Sequence, residues 1–163
     1  MNSEKIRNLS GYLLGLVMFI ILIPAMMWLA SGCAIPGAPW FISLAVAAPV
    51  GIGLSVWSIV HMKLVGKGNP MDAFNHEIAP RTRILMTDGP YKICRNPMLL
   101  GIIIYYCGIV IWLHSWQGAA IFAAFFLIMA VQVHKEEKRL EQDFGDAYRN
   151  YKKSTKKLIP FVW

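Results

Sequence analysis

Residues 89–101 read GPYKICRNPMLLG and join a polar turn to an apolar run that continues to Leu113. The Gly-Pro pair at the start of this stretch is a turn signal. Pro97 suits the first position of a helix, where its missing N–H costs nothing. The stretch therefore predicts that Arg95 and Asn96 lie at the mouth of a membrane-entering helix, either as interfacial anchors or as part of a site.

The chain has the composition of a membrane protein. Hydrophobic residues make up 56% of its 163 residues, more than a soluble domain of this size usually carries. Residues 8–62 and 96–134 contain no charged residue, and each stretch has room for two spans of roughly 17–20 residues. We therefore expect an all-α, polytopic membrane protein with about four transmembrane helices in one domain, residues 1–163. The predicted spans are residues 11–30, 40–62, 97–113 and 118–133.

The distribution of basic residues predicts the orientation in the membrane. All 16 Lys and Arg residues lie in residues 1–7, 63–95 and 135–157. The two short connections between spans contain none. Because Lys and Arg are concentrated in cytoplasmic loops, we expect both termini and the central loop, residues 63–96, to be cytoplasmic. The net charge of +7 then faces anionic lipid and soluble ligands rather than nucleic acid.

The third and fourth spans are joined only by residues 114–117 and must form an antiparallel hairpin. Each span is about 17 residues, or roughly 25 Å at 1.5 Å per residue. Folding the hairpin therefore brings Arg95 and Asn96 to the same depth as Glu136 and Glu137. The sequence predicts a polar pocket at this helix mouth, beside an apolar wall.

Two flanking segments complete the predicted architecture. In residues 136–153, Leu140, Phe144 and Tyr148 recur at i, i+4 and i+8, while charged residues occupy the other faces. This periodicity indicates an amphipathic helix lying on the headgroups. The central loop, residues 63–96, is long for a compact protein, and such loops are commonly functional.

Several chemistries are excluded by pattern. The chain has no Gly-rich phosphate loop, CxxC pair, HExxH or GxSxG motif, and its four histidines have no metal-ligand spacing. No metal site is therefore predicted. A pocket with carboxylates, an arginine and a tyrosine suits a zwitterionic, cationic small molecule beside a lipid-dissolved partner. S-adenosylmethionine has that form, and methyl transfer from its sulfonium needs alignment more than acid–base help.

Three segments resemble the isoprenylcysteine carboxyl methyltransferase and phospholipid methyltransferase superfamily. Residues 89–101 resemble its G-x-Y-x-x-x-R-H-P-x-Y-x-G segment. The run EEKRLEQDFGDAYRNYKK, residues 136–153, resembles its E-E-x-x-L-x-x-x-F-G-x-x-Y-x-x-Y segment, and a proline follows at residue 160. The run FNHEI, residues 74–78, is similar to a short phenylalanine-asparagine-histidine motif. The resemblance covers residues 74–160 and implies an integral-membrane, S-adenosylmethionine-dependent methyltransferase.

The resemblance also implies site residues. Arg95 and Asn96 are the predicted catalytic residues. Gln132 is the predicted substrate residue, because it stands where the carboxyl methyltransferases have a substrate-binding arginine. Asn96 and Leu99 likewise replace the usual histidine and tyrosine. The implied cofactor contacts are His76, Arg83, Ile84, Leu85, Met86, Tyr91, Asn96, Pro97, Met98, Leu99, Gly101, Glu136 and Glu137.

The sequence leaves several functions open. The acceptor is predicted to be a lipophilic small molecule or a lipid-modified group: a prenylcysteine-type carboxylate, a phospholipid amine, or a small thiol or amine. Membrane lipids are expected partners, and nucleic acid is not. An NADPH-dependent enzyme resembling sterol reductases and a non-catalytic membrane scaffold are the alternatives. The sequence does not indicate an oligomeric state.

Overall fold

The computed structural model describes residues 13–33, 35–66 and 84–160. Within these ranges the chain forms helices and connecting turns, with no strand. Three helices are long and apolar enough to cross a membrane, and a fourth apolar helix is shorter. The predicted all-α membrane fold is confirmed. The helices are α1 (Leu13–Ala30), α2 (Ala38–Gly66), the shorter α3 (Pro97–Leu113) and α4 (Trp116–Ser154).

The observed bounds differ from the predicted spans mainly at the ends of the helices. The third span, α3, has the predicted bounds. The second begins earlier than residue 40, because Pro39 occupies the first turn of α2, and it continues through residues 62–66 as a π-helical turn. The central loop is therefore shorter than expected, and it contains a 3₁₀ turn over Gly89–Lys92. Residues 11 and 12 of the first predicted span lie outside the described residues.

Pro24 shapes α1, where a π-helical turn precedes it. Proline has no N–H to donate to the carbonyl of Ile20, four residues earlier, or to that of Phe19, five residues earlier. Two hydroxyls from α3 donate instead. Tyr106 Oη bonds the Phe19 carbonyl at 2.8 Å, and Tyr105 Oη bonds the Ile20 carbonyl at 3.5 Å. A neighbouring helix therefore supplies the hydrogen bonds that the proline withholds.

Small residues bring α2 and α3 into close contact. A Cβ added to Gly51 would overlap the carbonyl oxygen of Gly101 and lie 2.8 Å from the Tyr105 nitrogen. The Ser55 hydroxyl donates to the carbonyl of Met98 at 2.9 Å. Such residues let membrane helices approach closely. They fix the depth at which α3 begins.

Two buried clusters occupy different levels of the bundle. The first joins α1, α3 and α4 and consists of Met27, Ile102, Tyr106, Ile109, Leu113 and Phe125. The second joins the segment before α3 to the last turns of α4 and consists of Met86, Tyr91, Tyr148 and Tyr151.

The predicted amphipathic helix, residues 136–153, is not a separate element. It continues α4 without interruption until Gly145, whose φ of 53° and ψ of −126° break the helix. Glycine adopts this backbone conformation at little cost. Glu141 then pairs with both Arg149 and Lys152 at 3.1 Å. In a straight helix, residues eight and eleven apart would be separated by roughly 12 and 16 Å along the axis. The chain therefore turns back on itself at Gly145, which the periodicity did not predict.

The α2–α3 contact predicts unequal costs for two glycine substitutions on one helix. Gly51→Ala forces a methyl group into the backbone of α3, and overpacking of this kind costs about 1–3 kcal/mol. Gly53→Ala is the matched control, because its Cβ would meet nothing within 4 Å among the described atoms. Thermal unfolding in detergent should show a lower Tm for Gly51→Ala alone. Equal Tm values for the two variants would contradict this packing.

Candidate functional site

A pocket lies where the mouth of α3 meets the polar, C-terminal part of α4. Its lining combines two carboxylates and an arginine with aromatic and apolar walls. The described residues that line it are Met62, Leu85, Met86, Tyr91, Arg95, Asn96, Glu136, Glu137, Leu140, Phe144, Tyr148 and Tyr151. The structure thus brings together seven of the predicted site residues: Leu85, Met86, Tyr91, Arg95, Asn96, Glu136 and Glu137.

The other predicted site residues fall into two groups. Ile84, Pro97, Met98, Leu99, Gly101 and Gln132 are described but do not belong to the pocket lining. Gly101 faces Gly51 and Ser55 of α2, so its small size serves helix packing. His76 and Arg83 lie outside the described residues.

An ion pair between Arg95 and Glu137 occupies the pocket wall. Nε and Nη2 of Arg95 donate to one carboxylate oxygen of Glu137 at 2.9 and 2.5 Å. The other oxygen lies 3.1 Å from Lys157 Nζ. Burial alone would raise the pKa of Glu137, but the hydrogen bonds and charges of Arg95 and Lys157 outweigh it and hold that pKa below its ordinary value of 4.5. The carboxylate is therefore ionised at neutral pH.

The same polar groups hold a segment that follows α4, residues 155–158, which we call the strap. Arg95 Nη1 donates to the carbonyl of Thr155. The backbone N–H of Arg95 donates to the carbonyl of Lys156 at 2.9 Å. Asn96 Nδ2 donates to the carbonyl of Lys157, also at 2.9 Å. Three successive carbonyls of the strap are thus bound by two adjacent residues. Sequence reasoning missed this contact, because it is made to main-chain atoms that leave no side-chain signature.

The aromatic wall is held by hydrogen bonds and burial. Tyr151 Oη donates to the carbonyl of Tyr91 at 2.6 Å in a buried position. Burial is the main reason that the pKa values of Tyr91, Tyr148 and Tyr151 are raised above their ordinary value of 10. Their hydroxyls are therefore protonated at neutral pH and act as donors rather than bases. Burial likewise raises the pKa of Cys94 to about 11, so this thiol is not an activated nucleophile.

A second polar contact, which sequence reasoning also missed, positions Tyr91. His61, at the inner end of α2, lies with Nε2 2.8 Å from Asp88 Oδ1. The hydrogen bond to His61 is the largest cause that lowers the pKa of Asp88 below its ordinary value. Gly89 follows with a φ of 54°, and a Cβ there would lie 2.7 Å from the His61 ring. The pair anchors the turn that carries Tyr91.

The chemistry of the lining suits a small organic ligand. Within the described residues, no group of three or more His, Cys, Asp or Glu side chains is arranged to hold a metal ion. The pocket instead offers anionic groups, a guanidinium and flat aromatic faces within one lining.

Comparison with known proteins assigns the chain to a class and to a family. Residues 40–147, well over half of the chain, match the family model described as phospholipid methyltransferase. The matched region begins in α2 and ends just beyond the break at Gly145. The chain is a helical membrane protein. It belongs to the phospholipid methyltransferase family.

Two curated relatives are similar over part of their length. Protein-S-isoprenylcysteine O-methyltransferase of Schizosaccharomyces pombe is 28% identical over 94 residues, which cover 55% of this chain and 40% of the relative. Methanethiol S-methyltransferase of Pseudomonas deceptionensis is 28% identical over 107 residues, which cover 66% of this chain and 40% of the relative. The chain thus matches less than half the length of each relative. No solved structure matches significantly.

The ion pair predicts a pH dependence of stability. A folded-state pKa lowered below 4.5 means that the Glu137 carboxylate stabilises the fold above its unfolded pKa. That contribution is lost as the pH falls through the lowered folded value. At neutral pH, Glu137→Gln should lower the free energy of unfolding by up to about 3–5 kcal/mol, the cost of breaking a buried pair.

The difference between parent and Glu137→Gln should shrink as the pH falls from 4.5 through the lowered folded pKa of Glu137, at which the carboxyl of the folded parent also becomes neutral. Thermal unfolding across pH 7 to 3 measures it. Asp143→Asn, which removes an exposed acid from the same helix, is the control and should follow the parent. A gap that stays constant with pH would contradict the ion pair.

Proposed function

We propose that this protein transfers a methyl group from S-adenosylmethionine to a lipophilic or amphiphilic acceptor at the cytoplasmic face of the membrane. One observation carries the proposal. Carboxylates of α4, a guanidinium from the mouth of α3 and an aromatic wall share a single pocket, in a chain that belongs to a methyltransferase family.

The residues present fit the charges of this cofactor. Its ammonium and ribose hydroxyls suit the carboxylates of Glu136 and Glu137. Its carboxylate suits backbone N–H groups at the start of α3. Its adenine suits the flat and apolar faces of Tyr148, Phe144 and their neighbours. A methyltransferase requires a methyl donor, and this pocket has the complementary chemistry for a zwitterionic one.

The pocket is nearly closed in this structure. The described side chains leave a cavity of about 40 Å³, whereas small-molecule sites typically measure about 300–1,000 Å³. Binding of a nucleoside cofactor therefore requires the walls to separate. The turn at Gly145 places the wall residues Tyr148 and Tyr151 on a segment that is connected to the rest of α4 through a single non-helical residue.

The chain's contribution to the reaction is alignment. When bound, S-adenosylmethionine would supply an electrophilic methyl group on a sulfonium whose leaving group is a thioether. Glu136 and Glu137 orient the cationic end of the ligand. The apolar walls exclude water from the reacting atoms, and the protonated tyrosines donate hydrogen bonds without competing as nucleophiles. Holding two reactants in line in this way lowers the barrier by removing the entropy of their encounter.

The acceptor class remains the three predicted alternatives: a prenylcysteine-type carboxylate, a phospholipid amine, or a small thiol or amine. Gln132 is neutral, so it offers no charge-assisted partner to a carboxylate. Membership of a methyltransferase family speaks against the sterol-reductase and scaffold alternatives.

Glu136 provides the sharpest test of the cofactor site. Glu136→Gln keeps the shape of the side chain and removes the charge that would hold the cofactor. Losing one charge-assisted hydrogen bond should cost about 1.5–3 kcal/mol, or on the order of 10- to 100-fold in affinity. Titration calorimetry in detergent with S-adenosylmethionine and S-adenosylhomocysteine measures the effect.

Asp143→Asn is the matched control for this titration, because it removes an exposed charge farther along α4. Glu141→Gln is less suitable, since Glu141 holds the turn-back by pairing with Arg149 and Lys152. Parent protein that binds neither ligand would overturn the proposed function. Equal affinities for Glu136→Gln and the parent, with both folded, would remove Glu136 from the site.

The cytoplasmic orientation is a separate prediction. Cys33 is exposed in the connection between α1 and α2, and a membrane-impermeant maleimide should label it from outside intact cells. Lys153→Cys, at an exposed position near the end of α4, should be labelled in a Cys33→Ser background only after the membrane is opened. Labelling of both positions from the same side would contradict the orientation.

A further inference from the structure

The strap and the pocket share three side chains. Arg95, Asn96 and Glu137 line the pocket, and the same residues hold the strap through its main chain and through Lys157. Among the described residues, none of the strap belongs to the pocket lining. The strap therefore lies behind the wall of the pocket and braces it.

Arg95 is engaged on every side of its guanidinium. Nε and Nη2 bind Glu137, while Nη1 binds the carbonyls of Thr155 and, at 3.4 Å, Lys152. Its side chain is only 9% exposed. A guanidinium has five N–H donors and no acceptor. Since all three nitrogens have protein partners here, the group is suited to hold structure together rather than to act on a reacting atom.

The strap is also anchored by burial. Leu158 is 3% exposed and Thr155 9%. One carboxylate oxygen of Glu137 accepts hydrogen bonds from Arg95, and the other pairs with Lys157 Nζ. Without the strap, Arg95 would lose its carbonyl partner and Glu137 would lose Lys157. Both charges are largely buried, so losing these partners would be unfavourable.

We propose that the strap is a positioning element of the site, and that residues 155–158, by docking on Arg95, Asn96 and Glu137, hold these pocket side chains in their binding arrangement. This inference rests on the proposed function for the identity of the ligand. Arg95 is then a positioning residue, although the sequence favours a catalytic role. Because coupling between two sites is reciprocal, loosening the strap weakens the binding of ligand in the pocket.

Two neighbouring lysines provide a matched test. Lys157 reaches Glu137 and is 14% exposed, whereas the adjacent Lys156 is exposed. Lys157→Met and Lys156→Met each remove one positive charge and keep a long side chain. Neither lysine belongs to the described pocket lining, so an effect on binding reaches the pocket through Glu137 or through the main-chain contacts of the strap.

Two readouts separate docking from binding. Hydrogen exchange of the Arg95 amide, which donates to the carbonyl of Lys156, reports docking in the unliganded protein. Titration with S-adenosylhomocysteine reports the pocket. Lys157→Met should speed exchange at Arg95 and weaken S-adenosylhomocysteine binding by about fivefold or more. Lys156→Met should leave both unchanged.

The outcomes that would overturn the inference are distinct. Unchanged exchange in Lys157→Met would show that Lys157 does not hold the strap. Faster exchange with unchanged or tighter binding would show that the strap does not position the pocket. If the parent itself fails to bind S-adenosylhomocysteine while the exchange difference is present, the proposed function fails and the docking stands.

Asn96 supplies a second pair of variants in case Lys157→Met does not fold. Asn96→His keeps a ring N–H donor for the Lys157 carbonyl, whereas Asn96→Asp places an acceptor against it. Exchange at the Arg95 amide should be faster in Asn96→Asp and close to the parent rate in Asn96→His. Equal exchange in both variants would overturn the role of Asn96 in docking. Only exchange is compared here, because Asn96 lines the pocket itself.

Discussion

The ion pair between Arg95 and Glu137 joins the mouth of α3 to α4 across 42 residues of sequence. Two charges taken out of water are favourable only when geometry is good and the remaining hydrogen-bonding groups are satisfied. A third segment, the strap, meets the second condition. Lys157 pairs with the second carboxylate oxygen of Glu137, and a strap carbonyl accepts a hydrogen bond from Arg95 Nη1. The position of the strap, the ionisation of Glu137 and the shape of the pocket wall all depend on this contact.

The pair forms because apolar packing sets the height of α3 in the bundle. Gly51 and Gly101 allow the backbones of α2 and α3 to touch, and the Ser55 hydroxyl bonds the Met98 carbonyl one residue beyond Pro97. The start of α3 is thereby fixed relative to the end of α2. The contact between His61 and Asp88 fixes the position of the turn that precedes α3. The polar site is thus placed by interactions that are mostly within the membrane-spanning helices.

The hairpin was predictable because it depends only on length. Two apolar runs joined by residues 114–117 must return to the same depth, and Arg95 does meet Glu137. The break at Gly145 was not predictable from periodicity, since Leu140, Phe144 and Tyr148 keep helical spacing across it. A single residue with positive φ changes direction without changing the pattern. The strap could not be predicted for a different reason. It accepts hydrogen bonds through its main-chain carbonyls, and because every residue has a carbonyl, the sequence does not mark which ones are used.

Asn96 shows what the site requires at the mouth of α3. The superfamily that the sequence resembles has a histidine at this position. This chain has an asparagine, whose Nδ2 donates to the Lys157 carbonyl of the strap. An amide and an imidazole share an N–H donor, but only the imidazole gains or loses a proton near neutral pH. The position therefore serves this protein as a hydrogen-bond donor and not as an acid or base. That is consistent with methyl transfer from a sulfonium to an acceptor that reacts in its deprotonated form, a step in which the residues around the ligand align the reactants.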